Sequence, residues 1–394
     1  MTRPQPATIA FYDAYATLDG SGAVLRMIVS RLDPARMRPV VIVPHDGALA
    51  EALRADGCPV IVLPPGPPLD SYGGAIMASG LLGRLRAARA VRRYAGRLAS
   101  CLRAQGADLL HCNQTRALLQ AGAGGVRAGV PVVWNVRIRE PLGWLLARHA
   151  ARCADHIIAL TGDILDDVPG DERLRHITTV IPNAVDTARF SPDVDGARVR
   201  AELGLASGDP LVLMVGVMDP RKAHDVLIRA APMILQCIPA ARIAVVGDVV
   251  EGGDPAWREQ LRRLADDLRV ANRVLMLGWR SDVPELLAAC DLLVLPSRRE
   301  GDPGSVLEAM ATARPVVVTP AAAAAVTDGV SGLVVPPDDP SALAQAVGEL
   351  LADPERAREM GRAGRRHAEA HLGIDAMVRR YEEVWASLLG GSRS

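Results

Sequence analysis

The chain has 394 residues, and its 45 basic and 45 acidic side chains cancel, so its length exceeds what one core usually fills and its charge argues against nucleic acid as a partner. Six cysteines without a C-x-x-C pair, and no apolar run near the roughly 18 residues that span a bilayer, exclude a disulfide framework and a membrane-crossing segment. The N-terminus lacks a signal-peptide pattern, and the balance of apolar and charged residues suits a compact α/β protein of the cytoplasm.

In chain order, short apolar runs at 8–12, 39–43, 60–63, 108–111, 131–136 and 156–160 each precede a turn and a helical period. This alternation predicts βαβ units and a parallel sheet. It restarts at 211–216 and continues at 241–247, 274–278, 292–296, 315–319 and 332–335. Two Rossmann-like, doubly wound domains follow, 1–187 and 188–374, separated by the Pro-bearing stretch 180–192. In 375–394, Met377, Val378, Tyr381, Val384, Trp385 and Leu388 lie at helical spacing, which predicts a C-terminal helix able to cross back to the first domain. Two such lobes facing a central cleft would bring the carboxyl ends of both sheets to one ligand. No strand is followed by G-x-G-x-x-G, which argues against hydride transfer with a dinucleotide.

The richest segment is Pro296-Ser-Arg-Arg-Glu300-Gly-Asp-Pro-Gly304-Ser305-Val306-Leu-Glu308, after a strand and at the opening of a helix. Carboxylates accept from hydroxyls, and the N–H groups of Gly304, Ser305 and Val306 at a helix start suit a phosphate. Ser305-x-x-Glu308 also reads as a capping box, in which Glu308 only satisfies the helix end. A second segment, Val215-Gly216-Val-Met-Asp219-Pro220-Arg221-Lys222, repeats strand, turn and helix. There Asp219 caps, Pro220 takes the first position, and Arg221 and Lys222 bring cations to a first turn whose dipole disfavours them. Lys222 is the only lysine among 45 basic residues, which points to a required ammonium.

Together these segments resemble the E-x7-E motif and the phosphate-binding lysine of retaining glycosyltransferases with the GT-B fold, in particular glycosyltransferase family 4. The resemblance continues through 108–111, the linker 181–186, 278–283 and 332–336, and so spans most of the chain. It implies that Lys222 stabilises a departing diphosphate, that Glu308 holds ribose, and that Glu300 orients the donor sugar. It also implies donor contacts from Arg221, Gly216 and Arg280, and from Gly22 in the loop 19–28. Arg137 stands where the family more often has a histidine near the donor sugar, so it is a third catalytic candidate, against a structural arginine. His111 and Asn113 are assigned to the acceptor side. Val217 and Ala324 replace the family's usual Arg and Glu, which keeps open a catalytically silent nucleotide-sugar-binding protein.

The implied donor is a nucleotide diphosphate sugar acting as co-substrate, with no cofactor and no metal. The acceptor is a glycan, a lipid-linked sugar or a small molecule. His367-x-x-x-His371 lacks further ligand elements, and Asp193-Val-Asp195 sits in the linker rather than at a strand end. Residues 81–103 combine arginines with a leucine period and no acid. Two uses stay open for that helix: peripheral docking to an anionic inner membrane face, or the solvated side of a core helix.

Overall fold

The Val, Ile and Leu runs become strands because both faces of each central strand are covered. A computed structural model of the chain describes residues 6–18, 20–67, 69, 81–137, 143–166, 168, 172–206, 208–249 and 254–390. The first sheet contains β1 (Ala7–Tyr12), β2 (Met37–Val43), β3 (Val60–Val62), β4 (Leu109–Asn113), β5 (Val132–Val136), β6 (His156–Ala159) and β7 (Thr178–Val180). Their order is β3-β2-β1-β4-β5-β6-β7, with every neighbour parallel. The second sheet contains β8 (Leu211–Val215), β9 (Arg242–Val246), β10 (Val274–Gly278), β11 (Leu292–Leu295), β12 (Val316–Val318) and β13 (Gly332–Val334). It is ordered β10-β9-β8-β11-β12-β13 and is again all parallel. In each sheet the chain winds outward in one direction, returns to the middle and winds the other way. The reversal falls between β1 and β4 in one sheet and between β8 and β11 in the other, the places where open α/β sheets receive ligands.

Two findings correct the sequence reading. No apolar run marks β7, and its last residue Val180 opens the stretch read as a linker, yet Thr178–Val180 pairs with β6 as an edge strand. The boundary falls between Pro182 and Asn183 rather than at 187/188, and the second unit ends at Gly373. The physical reason is that the intervening residues bond into the second unit: Val185 donates to the Leu372 carbonyl at 2.8 Å, and Phe190 is buried in that unit's core.

The last helix, Ile374–Gly390, belongs to the first unit. Its Trp385 packs edge-on against Phe11 with ring centroids 5.5 Å apart. Helix Leu81–Ala104 buries Tyr94, Leu98 and Leu102 and leaves Arg86, Arg89, Arg92, Arg93, Arg97 and Arg103 exposed. The side chain of Arg84 lies outside the described residues, as does Asp19 of the first glycine loop. No described helix is long and apolar enough to cross a membrane.

Candidate active site

At the reversal point of the second sheet, β8 ends at Val215 and the chain turns through Gly216 into a 3-10 turn, Pro220–Lys222. Asp219 caps that turn, accepting from the Arg221 N–H at 2.8 Å. The turn does not run on into the helix, as the sequence suggested. Ala223 interrupts it in the left-handed region (φ 57°, ψ 41°), and the α-helix begins afresh at His224. Left-handed backbone disfavours a side chain bearing a Cβ. The interruption falls directly after Lys222, whose side chain reaches the neighbouring loop.

That loop follows β11. Lys222 Nζ donates to Glu300 Oε1 at 2.5 Å, and Ser297 Oγ donates to the same oxygen at 2.7 Å. Arg221 lies 3.9 Å from Glu300 Oε2. The Lys222 and Glu300 side chains are only 11% and 5% exposed, so the pair is largely removed from water. Separating it would strand a buried charge. Arg298 fixes the two loops together: its N–H donates to Arg221 O at 2.7 Å, and its guanidinium spans both Asp225 oxygens at 3.0 and 2.9 Å. Gly216 lies under the lysine stem, where an added Cβ would sit 3.6 Å from Lys222 Cδ.

Helix Gly304–Ala311 starts next to this pair in sequence, with Pro303 in the cap position and no side-chain cap. Ser305 is therefore inside the helix, and the capping box with Glu308 does not form. Of the three amides expected to meet a phosphate, that of Val306 is taken by Pro303 O at 3.1 Å. Gly304 and Ser305 have no acceptor for theirs among the described residues, which leaves two donors at a helix end. Burial of the Glu308 carboxyl lifts its pKa to about 7, opposed by the Arg189 guanidinium.

The remaining assigned residues belong to other elements, Arg280 in the second unit and Gly22, His111, Asn113 and Arg137 in the first. Arg280 sits beyond edge strand β10, bonded to both oxygens of Asp282 at 2.8 Å and to Glu202 at 3.0 Å, so its fork is engaged in a structural ion-pair network rather than offered to a donor. His111 is fully buried in β4, its ring centroid 5.3 to 5.8 Å from those of Phe11, Trp385 and Tyr381. Burial and the nearby Arg137 charge push its pKa down to about 3. A neutral imidazole enclosed by three aromatic rings cannot touch an acceptor, and the acceptor assignment of His111 is withdrawn. Arg137, at the end of β5, is buried and hydrogen-bonded to Tyr381 of the last helix. Asn113 donates to Asp13 Oδ2 at 2.8 Å at the β1/β4 reversal. Gly22 lies not in a loop, as the sequence suggested, but in the first turn of helix Gly20–Arg31, where a glycine is a packing requirement because a Cβ would lie 2.0 Å from Thr17 O.

Sequence reasoning passed over Ser297, Arg298 and His224. His224 is buried behind Lys222, and burial followed by the lysine charge lowers its pKa to about 4. Only the contact between the two loops reveals these roles. Asp193 and Asp195 are exposed and bond locally to Ser191 and Ala197. Among the described residues no group of three or more metal-ligating side chains converges.

Two successive all-parallel, Rossmann-like sheets with this constellation at the second reversal point define a GT-B-type protein. The profile described as "Glycosyltransferase Family 4" matches residues 45–189, and that described as "Glycosyl transferases group 1" matches 209–353. A lipopolysaccharide core biosynthesis mannosyltransferase of Rhizobium meliloti is 30% identical over 257 residues, 64% of this chain and 70% of that protein. The chain belongs to glycosyltransferase family 4.

A GDP-mannose-dependent α-(1-6)-phosphatidylinositol monomannoside mannosyltransferase of Mycolicibacterium smegmatis is 40% identical over 61% of this chain, and the match spans 66% of its length. A D-inositol 3-phosphate glycosyltransferase of Nocardia farcinica is 37% identical over 55% of this chain, and the match spans 49% of its length. The Anabaena protein HepE, solved with UDP and glucose, superposes with a TM-score of 0.80 at 25% identity over 96% of this chain and 99% of that one.

Proposed function

We propose that the chain is a retaining glycosyltransferase that moves a hexosyl group from a nucleotide diphosphate sugar to a hydroxyl of a glycan, lipid-linked or small-molecule acceptor. The observation that carries this reading is the buried Lys222–Glu300 pair, 2.5 Å apart at the β8/β11 reversal and close in sequence to two helix-terminal amides. Lys222, with the Gly304 and Ser305 N–H groups, stabilises the diphosphate as negative charge develops on it. Arg221 adds a second cation. Glu308 accepts from the ribose hydroxyls, and Glu300 orients the sugar. In the transfer, the bond from C1 to the phosphate oxygen breaks while the acceptor oxygen bonds C1 on the same face. The acceptor proton passes to the departing phosphate, so no protein nucleophile is required.

The GDP-mannose in one relative's name, and the UDP and glucose bound to HepE, make GDP-mannose and UDP-glucose the first donors to try. Hydrolysis of either to nucleoside diphosphate in excess chelator supports a metal-independent transferase. Turnover that vanishes in chelator and returns with divalent metal removes the metal-independent mechanism. Binding of a donor without turnover, with or without metal, would favour the silent binding protein suggested by Val217 and Ala324. We also assign the protein to the cytoplasm. The exposed arginine face of helix Leu81–Ala104 supports peripheral contact with an anionic inner membrane surface, where a lipid-linked acceptor would be found.

A further inference from the structure

Residues 183–190 supply none of the groups assigned to the donor above, yet they are tied directly to the stretch before helix Gly304–Ala311 and, through Arg365, to its last residue. Before the helix, the Asn183 N–H donates to Asp302 Oδ2 at 2.7 Å, and Asn183 Nδ2 donates to the Asp302 carbonyl at 2.7 Å. Beyond it, Arg365 donates to Ala311 O at 2.6 Å and also to Thr187 O and Phe190 O at 3.0 and 2.8 Å. Between these, Val185 bonds to Leu372 O and bridges to Gly373. The stretch where the chain enters the second unit is thus tied to the stretch where it leaves and to both ends of the helix.

The Asn183–Asp302 pair is reciprocal, backbone to side chain and side chain to backbone, across 119 residues of sequence. Each partner is 7% exposed. A carbonyl can only accept, so the Asn183 amide orientation is fixed, and a carboxylate accepting an N–H is among the stronger hydrogen bonds. Asp302 lies two residues after Glu300 and two before Gly304. Pro303, which follows it, has no N–H with which to anchor the loop itself.

We propose that Asn183 and Asp302 are positioning residues of the donor site, setting the backbone of 300–304 so that Glu300 meets Lys222 while the Gly304 and Ser305 amides face the same ligand. The proposal rests on the donor-site reading above. Its test is calorimetric titration of the full chain with UDP and with GDP, alongside thermal melting. Asn183→Ala and Asp302→Ala should each weaken the nucleotide that wild type binds by about ten- to a hundredfold. The double variant should be no worse than the weaker single, because the two residues act as one unit. Asp302→Asn, which keeps an acceptor oxygen, should recover most of the affinity. If the alanine variants fail to fold, Asn183→Asp keeps the size and backbone N–H but sets oxygen against the Asp302 carbonyl, and about a tenfold loss is expected. Lowered melting temperatures with unchanged affinity, or additive losses in the double variant, would overturn the proposal. Wild type that bound neither nucleotide would remove the donor-site reading and this inference with it. Wild-type binding unchanged in every variant would remove the inference alone.

Discussion

The two reversal points share a topology and differ in chemistry. Between β8 and β11 an ammonium and a carboxylate meet with little water around them. Between β1 and β4 the buried Asp13 accepts from the N–H groups of Tyr15 and Ala16 at 2.9 and 3.1 Å and from Asn113 Nδ2 at 2.8 Å. Because a carboxylate only accepts, Asn113 Nδ2 must face it and Oδ1 must point away. That oxygen and Gln114 Oε1 have no hydrogen-bond partner among the described residues. Gln114 itself sits at φ 128°, in territory almost reserved for glycine. A parallel sheet supplies the place for a ligand, and the residues after its central strands decide whether that place presents charge or neutral hydrogen-bonding groups.

The sharpest way to break the comparison is to remove the charge. Lys222→Ala should lower kcat for nucleotide-sugar turnover by about a hundred- to a thousandfold. Lys222→Arg should not restore it, since a flat fork cannot replace a compact ammonium. A loss below tenfold would mean that the ammonium at this reversal point is not used.

Glu308 comes next. Its replacement by Gln should weaken nucleoside diphosphate binding by about tenfold or more, and much less for the 2′-deoxy analogue. The pH dependence has a definite sign. With the folded pKa raised to about 7 against an ordinary value of 4.5, the folded protein binds more protons between those values. Its stability therefore falls as pH rises through the window, by at most about 3 kcal/mol. Glu308→Gln should accordingly stabilise the ligand-free protein at pH 8, and denaturant melts at pH 5 and pH 8 would show whether the gain is confined to the higher pH. Nucleotide affinity in wild type should rise over the same range as the carboxylate ionises.

A smaller effect is expected at the arginine face. Binding to vesicles rich in anionic lipid should fall as salt rises, and changing Arg89, Arg92 and Arg93 to Gln should weaken it by about 1 kcal/mol per charge. Failure to bind at low salt leaves the solvated face of a core helix. The smallest change concerns the strained position of the other reversal point: Gln114→Gly should raise stability by about 1 kcal/mol through relief of strain, measurable as a shifted denaturant midpoint. A clear loss would mean that the side chain, not the backbone, dominates there.

The strands were legible because apolar runs bounded by turns have few alternatives. β7 was not, since Thr178 and Thr179 are polar, sit at an edge and lie close to Pro182. Lys222 could be singled out as the lone lysine, and Glu300 by its spacing from Glu308, but nothing local announced that Ala223 would be left-handed or that the lysine would meet that glutamate. His111 misled because a histidine in a strand looks functional. Its neighbours Tyr381 and Trp385 arrive from some 270 residues away, a contact that no window of sequence encodes. Arg280 misled for a related reason, since its partner Glu202 lies 78 residues upstream.

That distant arrival has a consequence for how the molecule is made. The first unit is interrupted in sequence by the whole of the second and is completed only by helix Ile374–Gly390. On a ribosome, β1 through β7 emerge with Phe11 and His111 still lacking their aromatic cover, while the second unit can close as soon as its own sheet is out. Domains fold as units during synthesis and exposed apolar surface invites aggregation, so the half made first is finished last. Shortening the chain before Tyr381 should therefore raise the share of product that aggregates, measured by sedimentation of the shortened and full chains.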